Sequence, residues 1–85
     1  MRVEVLERHI ETGTPCVEEH CPIALAILEV LRSEVFLMGV YVSAEDVFVI
    51  YADGSEKVFQ LPLAVSEIVD HYDNTGEMYP FGFEL

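Results

Sequence analysis

Four side chains in the first part of the chain are of the types that bind metal or attack electrophiles: His9, Cys16, His20 and Cys21. Two thiols and two imidazoles form a donor set that tetrahedral zinc accepts. Structural zinc draws its ligands from tight Cys/Cys or His/His pairs, whereas here four residues separate the cysteines and His20 adjoins Cys21. Adjacent residues seldom both reach one ion, so the spacing fits zinc poorly. The same residues also compose a thiol nucleophile: Cys21 stands just ahead of a helical segment, where the macrodipole favours a thiolate, with His9 or His20 as base. No stretch suggests an oxyanion hole or substrate pocket to go with them. The simpler expectation is that Cys21 packs as a small hydrophobe at the helix entrance while His9 hydrogen-bonds loop backbone. On that expectation the chain is not an enzyme and carries no cofactor.

The elements that would position these residues can be read from periodicity. Cys21-Pro22-Ile23-Ala24-Leu25-Ala26-Ile27-Leu28-Glu29-Val30-Leu31-Arg32 is an apolar segment opened by proline, which suits a first helical turn. It reads as the central helix, with Ile23, Ala24, Ile27, Leu28 and Leu31 turned inward and Glu29, Arg32 and Ser33 outward. Before it, Arg2 to Leu6 alternates like a strand, Glu7 to Gly13 suits a short helical turn with Ile10 inward, and Gly13 to Cys21 is irregular. After it, Val35 to Val42 is rich in β-formers. Ser43-Ala44-Glu45-Asp46 connects to a strand over Val47–Tyr51, and Asp53-Gly54 predicts a two-residue turn into a strand over Glu56–Leu61. That turn would set Ile50 opposite Lys57, Val49 opposite Val58 and Phe48 opposite Phe59. The Val47–Tyr51 strand is apolar on both faces, which places it centrally in the sheet or against a second subunit. From Pro62, the recurrence of Val65, Ile68, Val69 and Tyr72 marks an amphipathic helix whose outer face is Ser66, Glu67, Asp70, His71 and Asp73. Asn74-Thr75-Gly76 ends it, and Glu77 to Leu85 is extended. The expected fold is α+β, in the order β-α-β-β-β-α-β, an antiparallel meander packed against two helices in one domain spanning residues 1–85.

Composition narrows the functional classes. Sixteen acids against four bases give a formal charge of -12. Nucleic acid and anionic membrane surfaces would repel such a chain, so the expected partner is a basic or neutral protein. Apolar residues make up 52%, too many for a disordered chain. No run reaches the roughly 18 apolar residues of a spanning helix, and the alternating, acid-bearing start is unlike a secretory signal. A soluble cytoplasmic protein with reduced cysteines is expected. Five isolated glycines give no phosphate-cradling loop. Tyr41, Phe48, Tyr51 and Phe59 lack the basic funnel that single-stranded nucleic acid requires.

Three stretches together, His9-Ile10-x-x-Gly13, Cys21-Pro22-Ile23-Ala24-Leu25-Ala26, and Leu61-Pro62 followed by Gly76 and Pro80-Phe81-x-Phe83-Glu84-Leu85, resemble a family of small phage-encoded proteins of unknown function. The resemblance implies origin in a phage or prophage and transfers no catalytic residue. It joins the charge in suggesting an acidic protein that docks on a basic host or phage protein, imitating nucleic acid or inhibiting a defence or transcription factor. Glu67, Asp70, Asp73, Glu45 and Asp46 are its candidate surface. The alternatives are a homodimeric assembly protein using its apolar strand face, and a zinc- or thiol-dependent site at His9, Cys16, His20 and Cys21.

Overall fold

A computed structural model describes residues 1–85. The alternation at the start produces β1 (Arg2–Val5), whose Val3 and Val5 are fully buried while Arg2 and Glu4 face outward. Leu6 caps α1 (Glu7–Thr12), and the irregular stretch that follows leads into α2 (Pro22–Leu31). Three antiparallel strands come next: β2 (Leu37–Val42), β3 (Asp46–Tyr51) and β4 (Glu56–Gln60). Then α3 (Leu63–Thr75) crosses back, and β5 (Phe81–Glu84) pairs antiparallel with β1, Val3 opposite Phe83. The chain is therefore α+β, with the expected meander. Its first and last strands form a separate two-stranded sheet.

The core is one cluster filled from every layer, in which Ile23 and Ile27 of α2 meet Val3 and Val5 of β1, Val40, Val42, Val47 and Val49 of the meander, and Val65 and Val69 of α3. Each fully buried aliphatic side chain contributes about 1.5–3 kcal/mol over leaving it in water. Leu28 and Leu31, expected inward with Ile23 and Ile27, are only half-buried against this cluster. Proline at the first position and a left-handed Gly76 (φ 75°), whose N–H donates to the Tyr72 carbonyl, bound α2 and α3 as their end residues require. No helix is long and apolar enough to cross a membrane.

Several local expectations change. In α1 the residue buried most deeply is His9 rather than Ile10, because both imidazole nitrogens find hydrogen-bond partners, the Leu6 N–H and the Glu29 carboxylate. The second strand starts at Leu37, because Phe36 adopts a left-handed backbone (φ 70°) and its carbonyl accepts the Ala52 N–H (2.7 Å), which leaves Val35 and Phe36 exposed. Met38 is an extra residue between Leu37, opposite Tyr51, and Gly39, opposite Ile50, a bulge that turns its side chain to solvent.

The β3–β4 connection is not a two-residue turn. Only Gly54 has positive φ (87°), Gly54 N–H donates to the Tyr51 carbonyl (3.0 Å), and Tyr51 N–H donates to the Ser55 carbonyl (3.0 Å). Ala52, Asp53 and Gly54 thus form a three-residue loop with glycine at its left-handed position. The register moves by one residue, setting Val47 opposite Phe59, Phe48 opposite Val58, Val49 opposite Lys57 and Ile50 opposite Glu56. Phe48 and Phe59 consequently lie on opposite faces, and the expected aromatic pair does not form. β3 is central, as its two apolar faces imply. Val47 and Val49 enter the core, and Phe48 and Ile50 are half-buried on the outer face beside Tyr41 and Val58.

Candidate functional site

The four residues of metal-binding and nucleophilic type have separate surroundings. His9 occupies the third position of α1, where glutamate or glutamine often reaches back to the cap; its Nδ1 accepts the Leu6 N–H at 2.9 Å. With Nδ1 accepting, the ring proton sits on Nε2, which donates to Glu29 Oε2 at 2.7 Å. Arg8 pairs with the other oxygen of the same carboxylate. Glu29, expected on the outward face of α2, is therefore the clasp between α1 and α2, and it satisfies an imidazole that is 6% exposed. His20 is exposed, with Nδ1 3.2 Å from Thr14 Oγ1.

Cys21 caps α2, its Sγ accepting the Ala24 N–H at 3.4 Å. It is 5% exposed, and burial pushes its thiol above the ordinary value, with the Asp73 charge adding to the rise against the opposing Ala24 and Ile23 N–H groups. Burial here outweighs the helix terminus that would have favoured a thiolate. Cys16 is exposed, in a left-handed conformation (φ 62°), with its N–H donating to Asp73 Oδ1 at 3.0 Å and its Sγ 3.4 Å from the Asp73 carbonyl. Both cysteines are free thiols. Neither imidazole hydrogen-bonds to a thiol, and no group of three or more His, Cys, Asp or Glu side chains is gathered as a metal would need.

The two cysteines do share one feature. With Glu18, Ser43 and Asp73 they line a cleft of about 220 Å³ between the irregular loop, the β2–β3 turn and α3. Asp73, one of the acids expected on the outer surface, is half-buried here and spends its carboxylate on the loop backbone.

The other candidate acids remain outward. On a helix with 3.6 residues per turn, Val65, Val69 and Tyr72 face the core, and Leu63, Glu67, Asp70 and Asn74 share the opposite crest. Glu67 and Asp70 are exposed, as is Glu45 on the β2–β3 turn, while Asp46 is half-buried at the start of β3; none of these four carboxylates takes part in a side-chain hydrogen bond or ion pair. Glu18 and Glu19 are equally exposed. The crest of α3 is bounded on one flank by the cysteine cleft. On the other flank Ala64, Ile68 and His71 of α3, with Met78 and Tyr79 of the segment leading into β5 and Phe81 at its start, line a groove of about 340 Å³. Ile68 belongs to the apolar periodicity of α3 but is only half-buried, because it lines this groove instead of entering the core.

The groove is the feature that periodicity missed. Its only trace in the sequence is the apolar run Met78-Tyr79-Pro80-Phe81 following so closely on the helix stop.

Three residues of the resembling stretches are explained by packing. The place where a Gly13 side chain would begin lies 2.7 Å from Pro22 Cδ and 2.8 Å from Cγ, so the absent Cβ is what lets the proline ring close over the loop. Together with His9 on Glu29 this binds α1 to α2, and Cys21 caps α2 itself. No protein-family model, no curated protein and no solved structure matches the chain.

Proposed function

We propose that this chain is a non-enzymatic, acidic docking protein that binds a basic protein partner. One observation carries the proposal: on the crest of α3, Glu67 and Asp70 are exposed and have no partner within the chain, while most of the basic side chains are already engaged. Arg2 pairs with Glu4, Arg8 with Glu29, and the Lys57 ammonium lies 5.7 Å from the Tyr51 ring centre. Carboxylates left without internal partners at a net charge of -12 accelerate encounter with a positive surface and repel nucleic acid and other acidic proteins. The phage origin implied by the resembling stretches would place the partner in a bacterial cytoplasm, where the basic groove of a nucleic-acid-binding factor has the complementary charge.

Affinity capture from bacterial lysate at about 0.15 M salt, where the Debye length is about 8 Å, tests this. The wild-type chain should retain a basic protein that the Glu67→Lys/Asp70→Lys chain does not. Recovery of no basic protein, or equal recovery by both chains, would overturn the proposal.

A second possibility has its own observation, the apolar outer face of the meander, where Tyr41, Phe48, Ile50 and Val58 adjoin one another. A homodimer through this face would show as a concentration-dependent sedimentation coefficient. A monomer at every concentration removes it.

A further inference from the structure

We infer that the groove beside α3 is the part of the docking surface that takes an apolar anchor, and that its occupant is a short partner segment bearing a leucine, methionine or phenylalanine flanked by lysine or arginine. The inference rests on the docking proposal and specifies the site and chemistry of its partner.

The floor is apolar. Ala64 and Ile68 come from α3, Met78 from the segment before β5 and Phe81 from the first position of β5. It is also preformed, since the Phe81 ring stacks on Phe83 at 5.8 Å between centres with the planes 25° apart, and Phe83 is in the core. A groove of about 340 Å³ lies within the size range of sites that bury an inserted group. Tyr79, which lines the groove, is 78% exposed, and on the adjoining crest Leu63, one turn before Glu67, is 75% exposed.

The rim selects the occupant. Glu67 and Glu77 line the groove, Asp70 stands beside Glu67 on the crest, and the one nearby base, His71, is 3.6 Å from Glu77. An apolar anchor with lysine or arginine on either side satisfies both floor and rim. A second copy of this chain would bring another twelve negative charges, and an anionic membrane surface would likewise meet like charge.

The test uses a synthetic helical peptide with one leucine and one phenylalanine on a single face between lysine pairs, titrated into the intact chain while the methyl NMR signals of Ile68 and Met78 are followed. These signals should move saturably, and Ala64→Phe, which fills the groove from an exposed position, should weaken binding about tenfold. Ile68→Ser should weaken it too, so that a fold defect in one variant does not decide the result. Peptides with the anchors replaced by serine, or with lysines replaced by glutamates, should leave both signals in place. Absence of shifts with the lysine peptide, or equal shifts with either control, would overturn the inference. The two proposals also fail separately. A captured basic protein whose binding is lost on Glu67→Lys/Asp70→Lys but indifferent to Ala64→Phe would eliminate the groove and leave docking standing. Capture indifferent to charge reversal would eliminate docking itself.

Discussion

His9 Nε2 and Glu29 Oε2 are 2.7 Å apart, and this hydrogen bond, made across 20 residues of sequence, ties α1 to α2. At its other nitrogen the same ring caps α1 through the Leu6 N–H, so one side chain serves two ends of the structure. His9→Ala should destabilise the fold by about 1–2 kcal/mol, the cost of leaving the part-buried Leu6 N–H without its acceptor and the Glu29 carboxylate with Arg8 alone. His9→Gln, which retains a side-chain acceptor for the cap, should recover part of that loss. Urea denaturation of the three chains provides the comparison. Equal midpoints for wild type and His9→Ala would show that the imidazole is not a clasp.

A second prediction concerns Gly13, where a Cβ would also meet the His9 carbonyl oxygen at 2.9 Å. Neither proline ring nor helix backbone can move aside cheaply, so Gly13→Ala should cost about 1–3 kcal/mol through overpacking. Gly54→Ala tests a different cause, because its surroundings are empty but φ is 87°. Its cost should be about 1–2 kcal/mol of backbone strain. Thermal melts distinguish the sites if Gly13→Ser is worse than Gly13→Ala while Gly54→Asn is milder than Gly54→Ala.

The cysteines should separate kinetically. Cys16 is exposed and Cys21 buried with a raised thiol, so an aromatic disulfide reagent should modify one thiol quickly in the native protein and the second only on unfolding. Cys16→Ser should abolish the fast phase. Two equally fast thiols would contradict the placement of Cys21 in the core.

Asp53 gives a pH signature. Hydrogen bonds from the Ser55 hydroxyl (2.6 Å) and the Ser55 N–H (2.8 Å) hold its carboxyl below the ordinary carboxylate value. A depressed folded value stabilises the fold above the unfolded carboxylate range, and the contribution is lost as pH falls through the folded value. Asp53→Ala should therefore melt below wild type at neutral pH, and the gap should narrow on acidification. A gap independent of pH would show that the carboxylate charge plays no part in the loop.

These residues also show where the sequence is readable. Val65, Val69 and Tyr72 announce α3 because helical periodicity follows directly from one face being buried. Asp53-Gly54 announces a turn, but the dipeptide does not decide between a two- and a three-residue loop. That depends on whether Asp53 joins Gly54 at positive φ, and the Ala52 N–H held by the Phe36 carbonyl is a tertiary bond that no local pattern encodes. The donor set of His9, Cys16, His20 and Cys21 is visible as types, yet its members separate because Glu29 and Asp73, remote in sequence, claim His9 and Cys16. The acids of the α3 crest are legible because nothing else in the chain answers their charge. The groove beside them is not, since Ile68 has core periodicity and only the three-dimensional path of residues 77–81 leaves it uncovered.

The central claim is that outward carboxylates on α3 bind a basic protein, and the most direct measurement is the affinity of the captured partner for wild-type and Glu67→Lys/Asp70→Lys chains across a salt series. The account predicts that wild-type affinity falls steeply as salt rises, and that charge reversal weakens binding by at least about tenfold at low salt, where electrostatics are least screened. An affinity indifferent to salt and unchanged by the two substitutions would contradict it.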